Sequence, residues 1–149
     1  MKRKPRPDLR PMSTKTLDEL EGFATPGPGH LRLPRRIAEA RQVPLTQLTP
    51  TQCVLLLHHG RGVPYIFPRA LALAEQDPWL WAEYYDGDLL VALLETDRAL
   101  HPPGAEWPQR LQRLAEHAVE VAPSRMDFER NLEAETRVRS WLEALGGNT

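Results

Sequence analysis

The amino-acid sequence predicts an all-α protein, a compact single-domain bundle of about six or seven helices with a disordered N-terminal arm. Capping residues precede most apolar runs of the 149-residue chain, and prolines or glycines follow them, which is typical of successive helices. No window alternates apolar and polar residues over several β-branched positions, as a half-buried strand does. The apolar content of 41% and the charged content of 26% are typical of one soluble domain.

The first two predicted helices have clear start signals. Thr16 and Glu19 match a capping box, in which each side chain binds the backbone amide of the other residue, and Gly22 follows the short helix. A second helix begins at Pro34, because proline suits the first helical turn, and it ends before Pro44.

A nearly buried helix is predicted between Thr49 and Gly60. Thr49 supplies a capping hydroxyl, Pro50 supplies a preset backbone angle, and Gln52 completes a capping box. The apolar run that begins at Cys53 is short enough for a strand, but the cap before it and the glycine after it favour a helix.

Two helices follow in the middle of the chain. Apolar residues over positions 65–74 predict a helix that Pro68 kinks, since proline lacks the amide of the helical hydrogen bond. Asp86 and Asp88 then fall in the first turn of a helix over residues 89–94, where free amides and the helix dipole favour negative charge. This structural role is an alternative to any functional role for the two carboxylates.

Two amphipathic helices complete the predicted fold. Pro108 begins the first of them, and Pro123 ends it. Its buried face is predicted to consist of Leu111, Leu114, Ala115 and Ala118. Ser124 is a cap-like start for the longest helix of the chain, which ends near Gly146.

The N-terminal residues are predicted to form an arm in front of the helical domain. Basic residues and prolines dominate it and offer almost nothing to bury, so residues 1–14 are a flexible basic arm and residues 15–146 are the domain. Helical patterning begins just after Met12, which makes this methionine an alternative start. Cys53 is the only cysteine, and no apolar run approaches the ~18 residues of a membrane span, so the protein is expected to be cytoplasmic.

Charge is distributed unevenly along the chain. The net charge of −1 divides into +5 over the first fifteen residues and −6 over the rest. No lysine or arginine lies between Arg69 and Arg98, a stretch termed the acidic segment. Its carboxylates are Glu75, Asp77, Glu83, Asp86, Asp88, Glu95 and Asp97.

The residues that are candidates for catalysis or metal binding do not favour either. Cys53 lies in an apolar run, where cysteine is usually a small buried hydrophobic residue. His58 and His59 are adjacent, so on a helix their side chains point about 100° apart and do not share a metal as an i, i+4 pair does. The sequence contains no HExxH, CxxC, GxSxG or P-loop motif. We therefore expect no enzymatic activity, no metal and no cofactor.

The basic arm suggests an alternative function. Clustered cations neutralise phosphates, so the arm would suit a cytosolic nucleic-acid-binding or adaptor protein. The domain behind the arm is acidic and would repel the same polyanion, which favours a solvated tail instead.

Aromatic residues interleave with the carboxylates of the acidic segment. Such rings give a large contact area at little entropic cost, and carboxylates around them attract a cationic partner and speed its encounter. For the two tryptophans, burial in the core is an equally favoured interpretation. The candidate protein-binding residues are Glu83, Asp86, Asp88, Glu95, Asp97, Trp79, Trp81, Tyr84 and Tyr85.

Four segments of the chain form an ordered set. They are residues 15–21 (KTLDELE), 44–49 (PLTQLT), 62–71 (GVPYIFPRAL) and 84–90 (YYDGDLL). The order and spacing of these segments resemble the sequence pattern of a bacterial family of immunity proteins from contact-dependent growth inhibition (CDI) systems. The turn at residues 58–61 and the chain beyond His101 depart from the family pattern.

The resemblance implies a protein that binds the toxic C-terminal domain delivered by a neighbouring cell and neutralises it without chemistry of its own. Many such toxins are nucleases with cationic substrate grooves, which an acidic, aromatic surface complements. The expected partner is therefore this toxin domain, bound by a monomer to give a heterodimer, with no direct contact to nucleic acid or membrane.

Overall fold

The computed structural model of the protein describes residues 9–21, 34–122 and 129–146. These residues contain seven α-helices, three single turns of 3₁₀-helix and no β-strand, so the all-α prediction is confirmed. The described part of the chain has one β-type pairing, an isolated antiparallel bridge between Trp81 and Asp86. The chain divides into two compact units, residues 1–47 and residues 48–149.

The first unit contains two short helices and two 3₁₀ turns. They are α1 (Leu17–Glu21), α2 (Pro34–Arg41) and the turns Met12–Thr14 and Leu45–Gln47. The predicted capping box is present, because Glu19 N donates to Thr16 Oγ1 at 3.2 Å and Thr16 N donates to Glu19 Oε1 at 3.4 Å. Residues 1–8, most of the predicted arm, lie outside the described residues, and the last three residues of that arm form the first 3₁₀ turn. The boundary between arm and domain stays a prediction.

A buried arginine joins the two helices of this unit. Arg41, at the end of α2, donates from Nε to Asp18 Oδ1 at 2.9 Å, and its Nη2 lies 2.6 Å from Glu21 Oε1. Removing one partner of a buried ion pair costs about 3–5 kcal/mol, because the remaining charge is left uncompensated. This contact therefore fixes α1 against α2.

The second unit is built around a buried central helix. Its elements are α3 (Pro50–His58), α4 (Val63–Gln76), α5 (Asp88–Leu94), the 3₁₀ turn Arg98–Leu100, α6 (Trp107–Val121) and α7 (Glu129–Gly146). Every residue of α5 is buried, and the helix contacts α3, α4, α6 and α7. Six of its seven residues are apolar, and a helix that is apolar on all sides needs neighbours on all sides.

The start and end of α3 are those that the sequence predicts. Thr49 Oγ1 accepts from Gln52 N at 3.2 Å, and the Gln52 side chain accepts from Thr49 N at 3.0 Å. At the other end, Gly60 has φ +63°, and Arg61 N donates to Leu56 O at 3.0 Å, which is the bond of a Schellman turn. The helix interpretation of this apolar run is correct, and the strand alternative is wrong.

The remaining helices follow the predicted breaks closely. The α4 helix continues through Pro68 and ends before Asp77, while α6 begins at Trp107, one residue before the proline that predicted its start. All four predicted apolar residues of α6 are buried. The α7 helix is the longest, with 18 residues, but its predicted start at Ser124 lies outside the described residues. Of the described helices, none combines the length and the apolar character that a membrane span requires.

The prediction for the start of α5 is partly wrong. Asp88 lies in the first turn, but Asp86 precedes the N-cap residue, Gly87, and is outside the helix. The N-cap of α5 makes no side-chain hydrogen bond. The carboxylate of Asp88 binds the preceding loop instead, because three amides of that loop converge on it.

Trp79 packs behind the chain that leads into α5. Its side chain is 1% exposed, and its Nε1 donates to the carbonyl oxygen of Ala118, in α6, at 2.9 Å. Gly87, with φ +88°, lies so close that an added Cβ would be 2.5 Å from Trp79 Cε3. The core interpretation is therefore correct for Trp79, which is not available for direct contact with a partner.

Replacing Gly87 by alanine should lower the free energy of unfolding by about 3 kcal/mol, because positive φ strains an L-residue and the new methyl group meets the Trp79 ring. Gly60→Ala is the matched control. Its φ is also positive, but no atom lies within 4 Å of the added Cβ, so a loss of about 1 kcal/mol is expected. Urea unfolding followed by circular dichroism measures both losses, and equal values would contradict the tight packing of Gly87.

Candidate functional site

The candidate site is built on residues 79–87, termed the aromatic loop, which precede α5. Asp88 holds this loop from behind. Its Oδ1 accepts from Ala82 N at 2.9 Å, and its Oδ2 accepts from Glu83 N and Tyr84 N, both at 2.8 Å. Hydrogen bonds to a charged group contribute about 1.5–3 kcal/mol each, so this contact is a strong constraint. Asp88 is only 1% exposed, and the structure thus places it behind the predicted binding surface.

Other contacts fasten the aromatic loop to the rest of the second unit. The hydroxyl of Thr51, in α3, donates to Ala82 O at 2.6 Å. The bridge between Trp81 and Asp86 pairs the two arms of the loop, and the indole of Trp79 ties its beginning to α6. The loop is therefore bound to three helices, which limits its conformational freedom before any partner arrives.

Two aromatic rings of the loop face solvent. Trp81 is 54% exposed and Tyr84 is 50% exposed. The Tyr84 ring is parallel to the imidazole of His58, at the end of α3, with an interplanar angle of 3° and ring centroids 5.9 Å apart. Single exposed apolar residues are ordinary, but two large rings on one fastened loop are typical of a contact surface.

Two open clefts lie where α7 meets the aromatic loop and α5, and both contain Arg137. The first has a volume of about 330 Å³ and is lined by Tyr84, Tyr85, Glu133, Ala134 and Arg137. The second has a volume of about 340 Å³ and is lined by Val91, Leu94, Glu95, Thr136, Arg137, Ser140 and Trp141. Three residues predicted from the sequence, Tyr84, Tyr85 and Glu95, are thereby brought to adjacent clefts.

Arg137 forms ion pairs with one carboxylate of each cleft. Its Nη1 lies 3.6 Å from Glu95 Oε1, and its Nη2 lies 3.3 Å from Glu133 Oε1. Burial raises the pKa of the Tyr85 phenol, and the Arg137 guanidinium opposes part of that shift. A tyrosine phenol is already protonated at neutral pH, and the raised pKa keeps it so, which leaves a hydrogen to donate.

The other predicted carboxylates are placed differently. Glu83 and Asp86 are half-buried in the aromatic loop. Asp97 is exposed, and its Oδ1 accepts from Ala99 N at 2.9 Å, which caps the 3₁₀ turn that follows. Asp97 lines neither cleft. The carboxylates of the acidic segment therefore differ in burial and in the groups that they bind.

No sequence motif indicates the α7 side of the clefts. Glu133 and Arg137 are four residues apart on an amphipathic helix, a spacing that in a sequence indicates only a solvated ion pair. Their proximity to Glu95 and Tyr85 depends on how α7 packs against α5, which no local signal reports.

The residues considered for catalysis are placed in different surroundings. Cys53 is buried in α3, and burial raises the pKa of its thiol to about 12, so it does not supply a thiolate at neutral pH. His58 is exposed and stacks on Tyr84, and His59 follows the last residue of α3. No group of three or more potential metal-ligating side chains occurs within residues 9–21, 34–122 and 129–146.

The sequence pattern of a known family, described as CDI immunity proteins, matches residues 19–110. The chain belongs to the CDI immunity family. None of the curated proteins and none of the solved structures compared with the chain matches it. The match confirms the resemblance that the four sequence segments indicate.

The matched region of this CDI immunity protein contains the aromatic loop, the helices α3 and α5 that hold it, and the first residues of α6. It extends from α1 through α3, α4 and α5 and ends within α6. The α7 helix, which supplies Arg137 and Glu133 to the clefts, lies beyond the matched residues. The two sides of the candidate site thus come from matched and unmatched parts of the chain.

Replacing Asp88 by alanine should lower the free energy of unfolding by about 3 kcal/mol or more, because three amides lose their acceptor. Amide hydrogen exchange should also accelerate at residues 82–84. Asp97→Ala is the control, since it removes one exposed capping bond and should cost about 1 kcal/mol or less. Urea unfolding and amide hydrogen exchange are measured on both variants. Equal losses of unfolding free energy and equal exchange rates at residues 82–84 in the two variants would contradict the proposed constraint.

Proposed function

We propose that this CDI immunity protein binds the C-terminal toxin domain of a CDI system in the cytoplasm of the recipient cell and neutralises it. We further propose that the toxin is a nuclease and that the aromatic loop and the adjoining clefts form the contact surface. Family membership supports a toxin as the partner. The nature of the toxin and the surface are inferred from the charge and exposure of the residues.

The observation that carries the proposed surface is the exposure of Trp81 and Tyr84 on a loop that Asp88 fastens from behind. The few interface residues that contribute about 2 kcal/mol or more to binding are enriched in tryptophan and tyrosine. Because the loop is already ordered by its hydrogen bonds, binding costs less conformational entropy than it would with a free loop.

Negative charge supports a cationic partner. Glu83 and Asp86 lie in the aromatic loop, Glu95 lies in the second cleft, and Asp97 follows it along the chain. A nuclease binds polyanions through a groove rich in lysine and arginine, so carboxylates near the rings would steer the encounter and favour this orientation. Trp79 and Asp88 act behind this surface, where they hold the loop.

In this proposal the protein performs no chemistry. The thiol of Cys53 is buried and protonated, and His58 faces solvent beside Tyr84 rather than a buried nucleophile. Neutralisation would then result from occupation or coverage of the toxin surface by a single copy of the chain.

Trp81→Ala and Tyr84→Ala should each raise the Kd for the toxin domain about 30-fold, mainly through faster dissociation, because each removes a central ring worth about 2 kcal/mol. The toxin domain is the C-terminal domain of the large secreted protein expected in the upstream reading frame. Leu100→Ala is a matched control, since Leu100 is also a large exposed apolar residue but lies outside the loop and clefts. Surface plasmon resonance measures the Kd of all three variants for the toxin domain. A similar rise in Kd for Leu100→Ala would contradict the assignment of the surface.

Glu83→Lys combined with Glu95→Lys should slow association with the same toxin domain about tenfold at low salt and weaken its dependence on ionic strength. The control combines Glu116→Lys with Glu120→Lys on α6, which makes the same change in net charge at two exposed residues that line neither cleft. Association rates measured over a series of salt concentrations separate local steering from an effect of net charge. Equal slowing in both double variants would remove the steering argument.

A further inference from the structure

We infer that Arg137 occupies, in the free protein, a site for a cationic side chain of the protein partner. An arginine or lysine of that partner would enter the first cleft, lie beside Tyr84 and Tyr85, and pair with Glu133 in place of Arg137. The inference deepens the proposed function, since it states the chemistry of one contact on the same surface.

The first observation is that two carboxylates from different helices converge on one guanidinium. Glu95 follows the last residue of α5 and lies 3.6 Å from Arg137, whereas Glu133 lies one turn before Arg137 on α7, at 3.3 Å. Two negative charges therefore face one positive charge. When a cation of the partner pairs with Glu133, Arg137 keeps Glu95, and each carboxylate then faces one positive charge.

The second observation is that these ion pairs are open to exchange. The side chains of Arg137, Glu95 and Glu133 are 48%, 58% and 70% exposed. Exposed pairs of this kind contribute about 0–1 kcal/mol, because water screens them and the long side chains lose entropy. Arg41 provides the contrast within the same protein, since its side chain is 5% exposed and is bound by two carboxylates at short distances.

The third observation is the aromatic wall of the cleft. Tyr84 and Tyr85 line the first cleft together with Arg137. The face of a tyrosine ring attracts ammonium and guanidinium groups by about 0.5–1 kcal/mol at exposed sites. The cleft, with a volume of about 330 Å³, therefore combines the carboxylate of Glu133 with two aromatic rings, which is the chemistry that recognises arginine.

The test uses a small probe and the full chain. A capped arginine, N-acetyl-arginine methylamide, is titrated into the ¹⁵N-labelled protein at constant ionic strength, and its citrulline counterpart serves as an uncharged probe of nearly the same shape. We expect arginine, but not citrulline, to shift the amide signals of Tyr84, Ala134 and Arg137.

Arg137→Gln should lower the Kd of the capped arginine about threefold to fivefold, because the probe no longer competes with the internal guanidinium. Arg139→Gln is the matched control. Arg139 is similarly exposed on the same helix and pairs with Glu135, four residues earlier, so its loss changes net charge equally without opening the cleft. It should alter the Kd less than twofold. Glu133→Gln should raise the Kd, and thermal unfolding of each variant checks that the fold is retained.

Weaker binding of arginine to Arg137→Gln, equal strengthening by Arg139→Gln, or equal binding of citrulline would overturn the inference. These results are distinguishable from failure of the proposed function. If the toxin domain binds through Trp81 but capped arginine does not bind, the cation site is wrong and the toxin-binding surface stands. If capped arginine behaves as expected but the toxin domain does not bind, the proposed function fails and the cation site stands.

Discussion

One buried carboxylate determines the shape of the candidate surface. Asp88 accepts hydrogen bonds from three consecutive backbone amides at the point where the chain turns into α5. These amides have no helical partner, and an unsatisfied buried donor costs about 1–3 kcal/mol. A carboxylate can satisfy all three, because its two oxygens together offer about four acceptor positions. The exposed rings owe their fixed place to this acceptor.

In and next to the aromatic loop, residues of the same type have different roles: some are buried and hold the loop, and others are exposed. Trp79 is buried between Gly87 and α6, whereas Trp81, two residues later, is exposed. Asp88 is likewise buried, whereas Glu95, at the end of the same helix, reaches a cleft. A surface loop whose conformation is already fixed by buried residues loses little conformational entropy when a partner covers it. This favours specific binding to one partner over binding to many partners.

The two arginines that join helices illustrate how burial decides the role of an ion pair. Arg41 is enclosed with its carboxylates and holds α1 against α2. Arg137 makes a comparable number of contacts near the surface, where water screens each of them. The first arrangement serves stability, while the second leaves charged groups that a partner is able to reach.

The sequence alone determined the helices and most of their ends, because capping and termination are local. The capping boxes at Thr16 and Thr49 and the Gly60 turn involve atoms only a few residues apart. It also indicated the CDI immunity family and the rings of the candidate surface. Only the tertiary structure decided that Trp79 faces the core, that Asp88 binds a loop and that Arg137 joins the site. These outcomes depend on packing between distant segments, and neither residue type nor local spacing encodes which side of a loop another helix will cover.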